Sequence, residues 1–224
     1  MIKLALAGLV VLVIGDSHLS SKDFLLTWLH EGLVAQGAMV HTYGVCGSNA
    51  HDWVVQSTLP CGRAERHNME EPQIDRSDKV KVWSLADLLR KHKPDLLIVE
   101  LGDNMAGYGT LPELPRDWIA TQVQEVLKPV VARKLPCIWV GPPWGAEGGT
   151  SNKTFARVKE LSTFLQASVS PCRYINSLNF SQPGQWVTYD GEHFIPEAYK
   201  IWGASITRET VQLSGELRSG MRSH

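Results

Sequence analysis

The sequence lacks several features that would define other classes of protein. Its 22 basic residues nearly balance 23 acidic ones, so no excess positive charge indicates a nucleic-acid partner. Its apolar runs are shorter than the about 20 residues that a membrane-spanning helix needs. The histidines and cysteines show neither C-x-x-C nor H-E-x-x-H spacing, and no G-x-x-x-x-G-K phosphate loop occurs. We therefore expect no metal, no other cofactor, no nucleic-acid partner and no membrane span.

The composition is typical of a globular domain. Apolar residues make up 43% of the 224 positions and charged residues 20%, which predicts one domain over residues 1–224. The eight tryptophans are many for this length, and they could serve core packing or stack on sugar rings. The sequence does not predict the oligomeric state.

The N-terminus has two interpretations. Met1-Ile2-Lys3 and the apolar residues after it resemble the start of an export signal, with Ala5-Leu6-Ala7 as a small-residue site. The apolar run nevertheless continues without interruption into Gly15-Asp16-Ser17. We interpret residues 9–14 as a buried strand and residues 1–8 as the remnant or replacement of a signal.

Four cysteines allow three pairings if all are bridged. A Cys46–Cys61 bridge would tie down a loop that begins beside the expected active site. Cys137 and Cys172 stand at the starts of two candidate strands, so these two could be buried thiols, and the pairing stays open. An oxidising location, periplasmic or secreted, is favoured over the cytoplasm.

Apolar runs alternate with amphipathic stretches, which is typical of a parallel α/β sheet. We predict a flavodoxin-like, three-layer α/β/α sandwich with a five-stranded, mostly parallel sheet. Residues 48–79 are polar and contain proline and glycine, so we expect a long loop or insertion there, and a frayed tail over 214–224. The predicted strands are 9–14, 38–43, 95–101, 137–140 and 174–175, and the predicted helices are 24–33, 82–91, 118–132, 155–168 and 197–213.

Two short motifs follow the first two predicted strands. Gly15-Asp16-Ser17 stands between a strand and a helix, where free N–H groups and the helix dipole favour negative charge. Asp and Ser are also common helix caps, so the tripeptide alone is ambiguous. The second motif is the loop Gly44-Val45-Cys46-Gly47-Ser48-Asn49. The N–H group of Gly47 could face the same cleft as Ser17, or the glycines could form an ordinary turn.

Two further motifs lie at the same predicted sheet edge. Gly102-Asp103-Asn104 follows the third strand, and the Asn104 amide could donate to an oxyanion or cap a turn. Asp190-Gly191-Glu192-His193 precedes the last helix. Its i, i+3 spacing lets the Asp190 carboxylate reach the His193 imidazole, although such a pair also occurs in surface loops. Ligands of open α/β sheets bind at the carboxyl ends of the strands, which is where these motifs fall.

In this order, the four motifs resemble the blocks of the SGNH (GDSL-like) hydrolase superfamily, and the resemblance spans nearly the whole chain. It implies ester hydrolysis with Ser17 as nucleophile, His193 as base and Asp190 as the residue that orients the base. It also implies an oxyanion hole formed by the N–H groups of Ser17 and Gly47 and the Asn104 amide.

The resemblance is incomplete at two places. Gly44 is a second candidate for the block-two glycine, after Gly47. The third block is usually Gly-x-Asn-Asp, and Met105 stands where its final Asp is expected. The conformation of the turn that presents Asn104 is therefore less firmly predicted. His18 follows the nucleophile, and we expect it to pack locally or to contact substrate.

Trp144 ends the segment Gly141-Pro142-Pro143-Trp144 after the fourth strand, so we expect it at the rim of the cleft as a substrate contact. It could offer a face to a sugar or a wall to an acyl chain. No long apolar stretch remains outside the predicted core to form a lipid tunnel. We therefore expect a small acyl ester, acetyl above all, on a carbohydrate. A lysophospholipase or thioesterase, an acyltransferase, and a non-catalytic binding module of the same fold stay open as alternatives.

Overall fold

The computed structural model describes residues 4–221, with side chains described as far as residue 215. Six α-helices lie in this range: α1 Leu25–Ala35, α2 Asp52–Val55, α3 Leu85–His92, α4 Arg116–Ala132, α5 Phe155–Ser168 and α6 Pro196–Met221. The strands in this range are β1 Val10–Gly15, β2 Met39–Val45, β3 Thr58–Leu59, β4 Arg63–His67, β5 Gln73–Asp75, β6 Val80–Lys81, β7 Leu96–Glu100, β8 Cys137–Val140 and β9 Arg173–Ile175.

The main sheet has the strand order β5-β4-β2-β1-β7-β8-β9. Strands β2, β1, β7, β8 and β9 are parallel neighbours. The central strand β1 is covered on both faces: Val11 and Val13 pack with α1 and α6, whereas Leu12 and Ile14 pack with the helices of the other layer. This double burial explains its continuous apolar run. The predicted three-layer α/β/α architecture is confirmed.

The sheet has seven strands, so the prediction of five was too low, and residues 48–79 are not simply a loop. Within them, β4 pairs antiparallel with β2, and β5 pairs antiparallel with β4. The sequence hid β4 because four of its five residues, Arg-Ala-Glu-Arg-His, are charged or histidine. Only Ala64 and Arg66 are buried, on one face of an outer part of the sheet. Strands β3 and β6 form a separate two-stranded ribbon.

The last helix is longer than predicted. It continues to Met221 instead of ending at residue 213, so the expectation of a frayed tail is wrong over 214–221. No proline follows Leu213 to end the helix, and Gly215 alone does not break it. Residues 222–224 lie outside the described part of the chain. Among the described helices, none combines the length and apolar character needed to cross a membrane.

Two disulfide bonds join segments beside neighbouring strands of the sheet. Cys46 and Cys61, with Cα atoms 5.4 Å apart, connect the loop after β2 to the approach to β4. Cys137 and Cys172 are also bonded, with Cα atoms 4.6 Å apart, so the expectation that these two could be buried thiols is wrong. Their strands β8 and β9 are parallel neighbours, which brings the two strand starts together.

At the N-terminus, Leu6 is fully buried, and its N–H group donates to the Gln36 carbonyl at 3.0 Å. Residues 4–8 thus pack against the end of α1, and strand β1 begins at Val10. Met1-Ile2-Lys3, part of the proposed signal remnant, lies outside the described residues.

The strand register places three loops side by side. Gly15 at the end of β1 pairs with Gly44 of β2 on one side and with Glu100 of β7 on the other. The chain continues from β1 to β2 on one side of the sheet and returns later to β7 on the other side, so the strand order reverses at β1. In open α/β sheets, such a switch point forms the crevice in which ligands bind.

Candidate active site

Ser17 lies in a sharp turn directly after β1. It begins a single 3₁₀ turn, Ser17–Leu19, which Asp16 caps by accepting the N–H group of His18 at 3.1 Å. The Ser17 side chain is almost buried, with a residue exposure of 6%. The strand end therefore fixes the hydroxyl group at the switch point of the sheet.

The loop before α6 carries the predicted His–Asp pair. Asp190 Oδ1 accepts the N–H groups of Glu192 at 2.9 Å and His193 at 2.8 Å. Its second oxygen, Oδ2, lies 2.6 Å from His193 Nδ1. A second loop also holds this one, because the N–H group of Ala146 donates to the Gly191 carbonyl at 2.8 Å. Backbone hydrogen bonds thus fix the carboxylate that orients the imidazole.

A continuous hydrogen-bond chain joins the two ends of the protein. His193 Nε2 lies 2.8 Å from Ser17 Oγ, across 176 positions of sequence. An ionised Asp190 can only accept hydrogen bonds, so His193 Nδ1 carries the proton and Nε2 presents a lone pair to the hydroxyl. The sequence-predicted residues Ser17, His193 and Asp190 therefore meet in the order and geometry of a Ser–His–Asp triad.

Hydrogen bonding keeps Asp190 ionised. Partial burial by itself would raise its pKa, but the bonds from the His193 backbone, the His193 ring and the Glu192 backbone outweigh burial and hold the pKa below its usual value. The carboxylate is thus available to stabilise a positively charged imidazole.

The two other predicted oxyanion donors lie in neighbouring loops. Asn104 Nδ2 donates to the Ser48 carbonyl at 3.0 Å, which fastens the loop after β7 to the residue beside Gly47. Gly47 has a positive φ of 76° and lies next to the Cys46–Cys61 bridge. Within residues 4–221, the N–H groups of Ser17 and Gly47 donate no hydrogen bond to another residue. They are free to bind an anionic oxygen.

Gly44, the second candidate for the block-two glycine, lies in a different setting. It is the penultimate residue of β2, and a Cβ atom at this position would overlap the main-chain carbonyl of Leu19. The absence of a side chain thus lets β2 pack against the turn that carries Ser17.

Trp144 is fixed by its own loop contacts. Its indole N–H lies 2.9 Å from the Leu178 carbonyl and 3.1 Å from the Ser181 carbonyl, and its ring meets Phe155 edge-on. None of the contacts found among residues 4–221 joins Trp144 to the triad. Its role as a substrate contact stays a prediction.

Sequence reasoning missed a second cluster of side chains behind the triad, buried except for Tyr108, which is partly buried. Lys153 Nζ lies 2.8 Å from the Asp103 carboxylate, and these two side chains are 0% and 1% exposed. The Tyr108 hydroxyl donates to Asp103 at 2.7 Å, and His18 Nε2 lies 3.3 Å from it. On its other side, His18 Nδ1 lies 2.7 Å from the Tyr199 hydroxyl. We call these five residues the inner cluster.

The turn that carries Asn104 has its carboxylate at Asp103, a member of the inner cluster, and not at Met105. In the usual third block, Asp follows Asn. Here Asp103 precedes Asn104, and its bonds to Lys153, Tyr108 and His18 hold the turn. A carboxylate in the position before Asn104, together with an apolar Met105 after it, was the only sequence signal for this change. No spacing linked Asp103 to Lys153, which arrives from 50 positions further along the chain.

Burial sets the protonation of the inner groups. It lowers the pKa of His18 to about 4, so this imidazole is neutral at pH 7. Burial would raise the pKa of Asp103, but the Lys153 ammonium and His18 outweigh it and hold that pKa well below its usual range. Burial raises the pKa of Asp16 and of Glu100; the charge of Asp103 raises the pKa of Asp16 further, and the charge of Asp16 raises that of Glu100.

Among the described residues, two groups of side chains each bring three possible metal-ligand atoms within 4.8 Å of one another. They are Asp16, His18 and Glu100, and His18, Asp103 and Glu192. In the first set, the raised pKa values favour protonated carboxyls, which are poor metal ligands. In the second set, the Lys153 ammonium already pairs with Asp103. The chemistry of neither donor set suits a bound metal.

The fold and the order of the motifs define the class of this protein: it has the SGNH hydrolase fold. Its structure is similar to a GDSL-like lipase from Bacteroides thetaiotaomicron, with a TM-score of 0.57, 13% identity and coverage of 91% of this chain and 88% of that one. It is also similar to the acetylxylan esterase Axe2 from Geobacillus stearothermophilus, with a TM-score of 0.58, 14% identity and coverage of 91% and 94%.

A nearer relative gives the family. The chain is 39% identical over 207 residues to protein BcsX of Komagataeibacter xylinus, and the matched region covers 92% of this chain and 78% of that protein. The chain therefore belongs to the BcsX family. It matches no established family model.

Proposed function

We propose that this protein is a serine esterase that removes a small acyl group, acetyl above all, from a carbohydrate. The observation that carries the proposal is the hydrogen-bond chain from Ser17 Oγ through His193 to Asp190, with lengths of 2.8 and 2.6 Å. An imidazole with a free Nε2 lone pair beside a serine hydroxyl is the arrangement that activates serine as a nucleophile.

In the proposed reaction, His193 Nε2 takes the proton of Ser17 as Oγ attacks the ester carbonyl carbon. The resulting imidazolium is stabilised by Asp190, and it gives the proton to the departing alcohol oxygen as the acyl–oxygen bond breaks. Water then attacks the acyl-serine, again losing its proton to His193. The products are the free carboxylic acid and the regenerated Ser17 hydroxyl.

The negative oxygen of the tetrahedral intermediate needs donors in place before it forms. We assign this role to the N–H groups of Ser17 and Gly47 and to the Asn104 amide. The first two are unpaired within the described residues, and Asn104 uses one amide hydrogen on Ser48 and keeps a second one. Such preorganised donors act most strongly where charge develops.

The proposed substrate class rests on likeness and on the sequence. The structurally similar Axe2 is an acetylxylan esterase. Among the described residues, most long apolar segments pack into two core layers, which favours a small acyl group over a long lipid chain. Hydrolysis of long-chain esters and transfer of the acyl group to a second alcohol are the competing activities.

Replacing Ser17 by Ala tests the proposal directly. We expect the variant to fold normally, to lose turnover of p-nitrophenyl acetate, and to lose labelling by a fluorophosphonate probe, which reacts only with an activated serine. The matched control is Ser168→Ala on α5, whose hydroxyl bonds only within its own helix and which should keep both signals. Undiminished turnover in Ser17→Ala would remove the central assignment.

Acyl preference needs its own assay. Acetyl, butyryl and decanoyl esters, measured beside acetylated glycans, should show the highest kcat/KM for acetyl groups. A preference for decanoyl over acetyl esters would replace the carbohydrate esterase by a lipid esterase. If an acceptor sugar is supplied and its acyl ester is formed instead of the free acid, the protein is an acyltransferase.

The two disulfides support a location in an oxidising compartment, because such bonds persist mainly outside the reducing cytosol. We therefore propose a periplasmic or secreted protein. Fractionation of cells that produce the full chain, with thiol labelling of each fraction, would test this proposal.

A further inference from the structure

A pocket of about 320 Å³ opens beside Asn104. It continues from the proposed oxyanion donor toward the start of α4, along a wall to which neither the triad nor the inner cluster contributes. Its lining consists of Asn104, Met105, Gly107, Leu111, Pro115 and Trp118. Asn104 is thus the residue that this pocket shares with the proposed oxyanion hole.

The wall of the pocket is held in place from behind. The Arg157 guanidinium, on α5, donates to the carbonyls of Ala106 at 2.9 Å, Leu111 at 3.1 Å and Pro112 at 2.8 Å. One side chain thus fastens both ends of the loop that carries Leu111. The pocket is preformed, as binding sites for small ligands usually are.

Two large apolar side chains stand at the pocket with much of their surface in water. Trp118 is 43% exposed and Leu111 is 45% exposed. Both side chains line the same pocket, so their exposed apolar surface is available to a molecule bound there. Asn104 is the only polar side chain among the lining residues.

The exposure of the pocket to solvent and the residues that line it indicate which kind of ligand it suits. An acyl chain needs to be enclosed on all sides to gain full burial, and the exposed Trp118 and Leu111 do not enclose it. A pyranose ring has an apolar face of C–H groups, which can lie against an indole, while its hydroxyl groups point outward to water. This pocket has an apolar floor and a solvent-facing side, which suits a sugar ring better than a chain.

We propose that this pocket is the subsite for the pyranose ring that bears the ester, with the ring stacked on Trp118. The inference rests on the proposed esterase function and names the residue that recognises its carbohydrate. It assigns to Trp118 the sugar-stacking role that the sequence suggested for Trp144, whose indole N–H is already bonded to two carbonyls.

The test uses Trp118→Ala and two substrates, acetylated xylotriose and ethyl acetate. We expect KM for acetylated xylotriose to rise about tenfold, which corresponds to the loss of one aromatic stacking contact. The ratio of kcat/KM for the sugar ester to kcat/KM for ethyl acetate should fall by a similar factor. Trp118→Phe keeps a ring and should recover part of this ratio.

Val131→Ala is the matched control, because Val131 is a 54%-exposed apolar residue on the same helix α4 outside the pocket. It should leave the ratio unchanged. An unchanged ratio in Trp118→Ala would overturn the subsite. A larger KM increase for decanoyl ester than for the sugar ester would also overturn it, in favour of an acyl site.

A binding experiment separates failure of the subsite from failure of the esterase. Xylotriose without an ester group is titrated by NMR into Ser17→Ala and into Ser17→Ala with Trp118→Ala. Weaker binding in the double variant supports the subsite even if no ester is hydrolysed. Equal binding in the two proteins, beside an active wild-type esterase, overturns the subsite and leaves the proposed function standing.

Discussion

Two histidine–carboxylate clusters lie back to back in this protein, and consecutive residues of the chain divide between them. Ser17 belongs to the triad and His18 to the inner cluster, and the rings of His18 and His193 are only 5.3 Å apart. The triad is partly open to solvent, with side-chain exposures of 26% for His193 and 34% for Asp190. The corresponding pair in the inner cluster, His18 and Asp103, is 0% and 1% exposed.

The two histidines differ in their partners and in their access to solvent, and not in residue type. Both ring nitrogens of His18 are engaged, one by Asp103 and the other by Tyr199, and burial keeps the ring neutral. In His193, Nδ1 is bonded to Asp190, and Nε2 lies beside the Ser17 hydroxyl. The inner carboxylate is neutralised by Lys153, whereas Asp190 has no lysine or arginine partner among the side chains described, those of residues 4–215.

Asp190→Asn should produce the largest change. The amide preserves shape but can favour the wrong imidazole tautomer, so we expect kcat for acetyl esters to fall about 10⁴-fold. Stability should change little, because the side chain is one-third exposed. Steady-state kinetics and a thermal melt measure both effects, and a kcat within tenfold of wild type would contradict the role of Asp190.

Lys153→Met should act on stability instead. Removing one partner of a buried ion pair leaves an uncompensated charge on Asp103, and such changes lower the free energy of unfolding by about 3–5 kcal/mol. Urea denaturation measures the loss. Lys159→Met on the exposed side of α5 is the control and should lie near wild type.

Adding Asp103→Asn to Lys153→Met sharpens this prediction. The double variant has no buried charge at this position, so it should regain part of the lost stability. If the double variant is less stable than Lys153→Met alone, the ion-pair explanation is wrong.

Asn104→Ala probes the residue between the two clusters. Loss of one oxyanion donor lowers kcat by about 100- to 1000-fold in comparable enzymes. The inner cluster should hold the turn in place, so the melting temperature should stay close to wild type. A fall in stability with little change in kcat would instead make Asn104 a structural tie to Ser48.

Glu192→Gln should have the smallest effect and appear only as a change in pH dependence. Burial, followed by the charge of Asp103, raises the pKa of Glu192 from an ordinary 4.5 to about 7. The folded protein then holds this proton more tightly than the unfolded chain, so the contribution of Glu192 to stability is lost as pH rises from about 4.5 to about 7.

In Glu192→Gln this titration is absent. The difference in unfolding free energy between variant and wild type should therefore shift in favour of the variant over the same pH range. Urea denaturation at half-unit pH steps measures it. If the difference in unfolding free energy does not vary over this pH range, the raised pKa of Glu192 is contradicted.

The parallel strands could be predicted because burial on both faces leaves an unbroken apolar run, as in β1 and β7. Strand β4 could not, because pairing at an outer position lets charged side chains such as Glu65 occupy its open face. The Cys137–Cys172 bond was within reach of sequence reasoning. Both cysteines were placed at the starts of predicted strands, and parallel neighbours bring such positions together.

The triad could be predicted because each of its residues lies in a short motif at the end of a strand or the start of a helix. The inner cluster could not, because Lys153 belongs to no motif and a lysine or aspartate is normally expected at the surface. Its burial depends on the meeting of two loops that are 50 residues apart in sequence. The position of Asp103, one residue before Asn104, hinted at the difference without revealing its partner.

The contact between Gly44 and the main chain of Leu19 limits the substitutions that this chain can accept at residue 44. Any side chain at residue 44 would push against the turn that holds the nucleophile, and a main-chain carbonyl cannot swing aside as a flexible side chain can. A saturation library screened for ester hydrolysis should therefore be depleted at Gly44 as strongly as at Ser17. The depletion at Gly44 would arise from steric exclusion, at a residue that takes no part in bond making.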